Sequence, residues 1–95
     1  MKCLEKQIMD LREFESPKNI KEAIDRIRQI RLELQNLRLN NRKEFDKRKG
    51  ELLESYRKYV EWLDRLMDSN ISSFTKLMII REKRLFELIR KAYYL

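Results

Sequence analysis

The 95-residue chain has no histidine, one cysteine, one glycine and one proline. Each scarcity excludes something. Without histidine the chain lacks the commonest metal ligand and the one side chain whose ordinary pKa lies near neutrality, so no metal site, no cofactor and no catalytic base is expected. Cys3 has no second thiol to pair with and reads as a bystander in an intracellular protein, cytoplasmic or similar. With so little glycine and proline there is no material for repeated tight turns, and strands are not expected. Long apolar runs are missing too. The longest, Leu77 to Ile80, falls far short of the ~20 residues that span a bilayer, and Met1 is followed by no signal-peptide core. A soluble protein is expected, with a membrane an improbable partner.

What is present is 42% hydrophobic and 41% charged sequence, a balance that belongs to long helices and coiled coils. A chain of this size buries only ~60% of its unfolded surface, so self-association, as a dimer at least, would add needed stability. The fold class expected is all-α: three or four helices in an antiparallel bundle or coiled-coil-like assembly, forming a single helical domain over residues 1–95.

Spacing and punctuation place the elements. Leu4, Ile8 and Leu11 mark residues 1–15 as a short helix that must dock on something, being too short to persist alone. Ser16-Pro17 offers an N-cap and a first helical residue, and Ile20, Ile24, Ile27, Ile30, Leu34 and Leu37 then step by three or four, predicting a helix over 17–39. The apolar stripe lapses between Arg38 and Glu51, where Asn40-Asn41 and Gly50 are possible helix ends. Residues 40–50 form a basic turn or a solvated helix, the turn being the preferred reading. Leu52, Tyr56, Tyr59, Leu63 and Leu66 resume the stripe in a helix over 51–68. Asp68-Ser69-Asn70 ends it. In the last helix, 71–95, Ile71, Phe74, Met78, Leu85, Leu88, Ala92 and Leu95 trace a heptad seam with Arg81 as its one charge, and Leu77, Ile80, Phe86 and Ile89 widen the stripe, predicting the most buried helix of the set. A buried Arg81 would need a carboxylate or several carbonyls.

Charge is unevenly laid along this pattern. Residues 17–50 hold eleven Lys/Arg against five Asp/Glu, and 71–95 hold six against two, whereas 51–70 and 1–16 are slightly acidic. Arg28, Arg31, Arg38, Arg42 and Lys49 follow one edge of the helical pattern, extended by Lys43, Lys47 and Arg48, with Glu22, Asp25 and Glu33 on the other flank. Such an edge suits a phosphate backbone, DNA or RNA, because each neutralised phosphate releases counterions whatever the base sequence. The same arrangement suits helix pairing, where charges flanking an apolar seam select partner and orientation. Tyr56, Tyr59, Trp62, Tyr93 and Tyr94 could stack on bases, but Tyr56 and Tyr59 lie in the seam and Trp62 beside it, which favours core or interface. The oligomer interface expected is Tyr56, Tyr59, Trp62, Leu63, Met78, Arg81, Leu85 and Leu88. Glu51/Glu54 and Glu61/Asp64 have the spacing to pair with Arg57, Lys58 and Arg65, and nothing signals a shielded catalytic pocket around them.

Arg81 to Arg90 with Tyr93, alternating basic and aliphatic residues, resembles the central helix of GINS replisome subunits, whose α-domain is also a helical bundle. The resemblance covers about a quarter of the chain, and the small β-domain usual in that family has no room here. It implies a non-enzymatic helical scaffold near nucleic acid. Two functions are therefore open: a non-catalytic, self-associating helical protein that binds nucleic acid non-specifically, or a coiled-coil module whose partners are helical proteins.

Overall fold

The computed structural model describes residues 16–94, all of whose regular elements are helical: α1 (Ile20–Asn40), α2 (Arg42–Arg65), a 3-10 turn (Leu66–Asp68) and α3 (Ser73–Tyr94). The short helix expected over 1–15 lies outside the described residues.

The first helix starts later than Ser16-Pro17 suggests. Asn19 is extended (φ −158°, ψ 174°) and its side-chain oxygen accepts the Glu22 N–H at 2.9 Å, while its carbonyl accepts the Ala23 N–H at 3.1 Å. Asparagine caps as well as serine, and here it stands directly before the first isoleucine of the stripe. Pro17 is buried ahead of the helix. Ala23, Ile24, Ile27, Ile30, Leu34 and Leu37 make the buried row of α1, as their spacing predicts.

The turn expected over residues 40–50 shrinks to one residue. Asn41 gives its N–H to the Leu37 carbonyl at 2.8 Å, closing α1, and its side chain accepts the Glu44 N–H at 3.3 Å, opening α2. Its φ is −151°, so α1 closes without a left-handed residue, and the N–H and side chain of Asn41 supply the two caps. Helix α2 then runs on through Gly50. The glycine costs about 1 kcal/mol against alanine, which a 24-residue helix anchored on two neighbours absorbs.

Helix α2 packs against both α1 and α3, and it, not the last helix, is the most buried element. Phe45, Leu52, Leu53, Ser55, Tyr56, Tyr59, Val60 and Leu63 are all buried. A side chain such as Leu63 contributes about 1.5–3 kcal/mol on burial, so this helix is where packing holds the three together. Ser72 caps α3, its hydroxyl accepting the Thr75 N–H at 3.1 Å. Among the described side chains of α3, Ile79, Glu82 and Phe86 are buried, with Met78, Ile89 and Tyr93 partly so against the same core. The strip that enters the core is thus displaced from the Phe74–Met78–Arg81–Leu85–Leu88 seam. Arg81 is exposed, and the charge that goes inside is Glu82.

Candidate interaction surface

The basic edge does not survive as a unit. Arg31 reaches inward, its Nη1 donating to Glu82 Oε1 at 2.5 Å and to the Tyr56 hydroxyl at 3.2 Å. One guanidinium thereby ties α1, α2 and α3 together. Burial works against the charge of Arg31, but the hydrogen bonds it donates to Tyr56 and Glu82 outweigh that and hold the pKa above the ordinary arginine value. Burial is also the main reason that the Tyr56 hydroxyl titrates above its usual range, with Arg31 opposing. Arg48 donates from Nη1 to Glu33 Oε1 at 3.0 Å, bridging α2 to α1, while its Nε is enclosed without an acceptor. Neither Arg31 nor Arg48 is free to meet a phosphate.

Three other members of the edge gather where α1 meets α2. The rings of Phe45 and Tyr93 stand edge to face, 5.4 Å between centroids. Arg38 lies 5.2 Å from the Tyr93 ring centre, and Arg42 and Lys49 lie 5.5 and 5.7 Å from that of Phe45. Asp46 meets Arg42 and Lys49 only at 3.9 and 4.0 Å. Lys43 and Lys47 are exposed and make no ion pair among the described residues. Arg28 is exposed as well, unpaired among the described residues and remote in sequence from this cluster.

The residues expected at an oligomer interface divide in the same way. Tyr56, Tyr59 and Leu63 are buried within the single chain, so they offer no surface to a second copy, and Trp62 packs partly buried against the core. Met78 and Leu85 are half-buried; Arg81 and Leu88 are at the surface. Among the described residues, the large apolar side chains left exposed are Leu32, Leu39, Phe74, Leu77, Ile80 and Leu88. All lie on α1 or α3; none is on α2. At 100° per residue, Phe74, Leu77, Arg81, Arg84 and Leu88 share the arc of α3 opposite Ile79, Glu82, Phe86 and Tyr93. Sequence reasoning missed Leu32 and Leu39. Both sit off the isoleucine row of α1 and seven residues apart, which is the signal of a second, weaker stripe.

Between α1 and α3 the surface is concave. A cleft of about 310 Å³ is lined by Ile20, Lys21, Ile24, Asp25, Arg28, Phe74, Thr75 and Met78. A second, about 400 Å³, is lined by Arg28, Arg31, Leu32, Gln35, Ile89 and Tyr93. Arg28 belongs to both, so the two follow one another along the groove. A trough of about 520 Å³ on the outer side of α3 is bounded by Ile80, Lys83, Arg84, Glu87, Leu88 and Lys91. The cleft between α2 and α3 is rimmed by charges already paired: on α2 Arg57 binds both Glu54 and Glu61, on α3 Arg90 meets Glu87 at 2.9 Å, and Lys83 reaches across to Asp64 at 2.8 Å. Hydrogen bonds from Arg57 and Arg90 lower the carboxyl pKa values of Glu54 and Glu87, which suits ion pairs rather than acid catalysis.

No group of three metal-ligating side chains is assembled among the described residues, and none of their helices is long and apolar enough to cross a membrane. Compared with known proteins, the chain matches no family model, no curated protein and no solved structure, so the GINS resemblance of α3 carries no further weight.

Proposed function

We propose that the protein is a non-catalytic helical interaction module that pairs with another helix through the apolar stripe left on the outside of α3 and the neighbouring face of α1. The observation that supports this is the placement of Phe74, Leu77 and Leu88: a heptad-like stripe on a helix whose core contacts are made by a different arc. Solubility does not call for such a stripe, whereas a partner helix does. In this reading the three helices form an antiparallel, coiled-coil-like bundle. Pairing of Glu33, late in α1, with Arg48, early in α2, supports that order, as does Asp64 near the end of α2 meeting Lys83.

The test is a double variant, Phe74→Gln with Leu88→Gln. Both side chains are exposed, so helicity and melting temperature are expected to stay at wild-type values. Light scattering at micromolar concentration and titration with synthetic amphipathic helices then report on pairing. We expect the wild type to associate with itself or with a helical peptide, and the variant to do neither. A wild type that stays monomeric and binds no helix removes this reading.

A second reading, non-specific binding of DNA or RNA, is favoured by the cation cluster of Arg38, Arg42 and Lys49 over Phe45 and Tyr93, joined by Lys43 and Lys47. It ranks below helix pairing because Arg31 and Arg48 are engaged inside the molecule, and a basic protein exposes cations in any case.

A further inference from the structure

We propose that the groove between α1 and α3 seats an acidic amphipathic helix of a partner protein, with Arg28 at the centre of the contact. This rests on the helix-pairing reading and adds the chemistry of the partner; it keeps Phe74 and the exposed face of α1 as contacts and seats the partner beside the outer stripe, since Leu77 and Leu88 line neither cleft.

Shape is the first argument. The two clefts that share Arg28 run from Ile20 and Phe74 at one end to Gln35 and Tyr93 at the other. Ile20 to Gln35 is about 22 Å of helix, the length over which an amphipathic helix places three or four anchor side chains at i, i+4 and i+7. Apolar side chains run along the groove, Ile24 buried, Met78 and Ile89 half-buried, and Leu32 and Phe74 exposed, while the second cleft adds the polar Arg28, Arg31 and Gln35. An aliphatic row on the incoming helix has somewhere to go.

Charge decides what that helix is. Lys21 and Arg28 line the groove and make no ion pair among the described residues, and Arg81, exposed, falls on the same strip of α3 as Phe74, Met78 and Leu85. Among the described residues, Asp25 is the one carboxylate lining the two clefts. Arg31, which reaches the same groove, is neutralised by Glu82. A second copy of the chain would bring these cations against themselves, and like charges at close quarters are strongly disfavoured. An anionic lipid surface matches the charge but not the form, because a planar interface cannot reach Ile24 and Ile89 at the bottom of a groove. Glutamates beside the leucine row of a partner helix satisfy both.

The experiment uses the full chain and two synthetic helices of about 21 residues, ~30 Å long, with leucines at the a and d positions and either glutamates or lysines flanking them. Fluorescence anisotropy at moderate salt is expected to show the Glu peptide binding at least about tenfold tighter than the Lys peptide, with the difference shrinking as salt rises. Arg28→Glu, a change at an exposed site unpaired among the described residues and expected to leave the circular dichroism spectrum unchanged, is expected to reverse the preference. Backbone amide shifts on adding the Glu peptide should concentrate on Ile24, Arg28, Leu32 and Met78. Equal binding of the two peptides overturns the acidic assignment while leaving helix pairing in place; an unchanged preference in Arg28→Glu overturns the groove. Wild-type protein that ignores both peptides and stays monomeric overturns this proposal and the reading beneath it. A wild type that ignores the Glu peptide but dimerises, or sediments with phosphatidylserine vesicles, overturns the proposal in favour of the occupant it chose.

Discussion

The Arg31–Glu82–Tyr56 contact is the point at which single atoms fix the arrangement of helices. Glu82 is 5% exposed, and its oxygen is met by a guanidinium from a helix fifty-one positions earlier in the chain. A buried ion pair often adds little net stability, because desolvation offsets the attraction; removing one partner is what costs, since the other is then left charged and dry. Arg31→Met is therefore expected to destabilise the fold by about 2–4 kcal/mol in urea unfolding, the partial exposure of Arg31 keeping it from the top of the range for buried pairs. Arg31→Met combined with Glu82→Leu should recover most of that loss. A single variant as stable as the wild type would show that the pair does not position α3. Tyr56 makes a pH-dependent prediction. Its folded pKa is raised by burial, so as pH climbs past ~10 the unfolded chain gives up this proton while the folded chain keeps it. Folding then takes up a proton, and stability falls with rising pH from that point. The expected outcome is a urea midpoint that declines more steeply above pH ~10 in the wild type than in Tyr56→Phe. Parallel curves would mean that the hydroxyl ionises as freely inside as out.

Among the helices, the clearest departure from ordinary propensity is Gly50, exposed in the middle of α2 with no positive φ to justify it. Gly50→Ala should stabilise the protein by about 0.5–1 kcal/mol, through the backbone freedom lost by the unfolded chain, and raise the melting temperature by roughly 3–6 °C. No gain on thermal unfolding would show that the helix is interrupted there in solution. That residue also shows how far sequence reasoning reached. The apolar rows of α1 and α2 are legible because each has one dominant stripe: Ile20 through Leu37 outweighs the pair Leu32 and Leu39 on α1, and Leu52 through Leu63 leaves a single face to bury on α2. Helix α3 carries apolar residues on two faces, with Ile79, Phe86 and Ile89 on one and Phe74, Leu77 and Leu88 on the other. Its periodicity could not choose between them. The choice of the arc holding Glu82 is coupled to Arg31, a contact between distant positions to which local spacing is blind. The same holds for the basic edge, since helical spacing aligned Arg31 with Arg28 and Arg38 but could not show which of the three would find a carboxylate inside. Asn41 was recognised as a break. That this one residue serves both as the C-cap of α1 and as the N-cap of α2 is local geometry that spacing does not show.

For the molecule as a whole, a net charge of +7 spread over helices on every side guarantees some attraction to polyanions, and detecting DNA binding at low salt would therefore say little. Salt dependence and localisation are what separate the two functions. Among the described residues the exposed members of the junction cluster, Arg38, Arg42 and Lys43, form no short ion pair, the closest being Arg42 to Asp46 at 3.9 Å, so replacing all three with Gln removes the cations over Tyr93 and Phe45 but no buried side chain. If helix pairing is the function, binding of duplex DNA or single-stranded RNA should be weak at physiological salt, should fall smoothly as salt rises, and should drop in the triple variant only as far as its lost charge requires. Helix-peptide binding should persist, because of the three replaced side chains only Arg38, over Tyr93 at the far end of the groove, approaches the clefts around Arg28. If phosphate recognition is the function instead, the wild type should retain saturable binding at physiological salt, and the triple variant should lose it for every base sequence alike. The slope of log affinity against log salt should then flatten by about 0.7–0.9 per phosphate contact removed. Measured on the same preparations, wild-type affinity at physiological salt together with that change in slope decides between a partner built of phosphates and one built of helices.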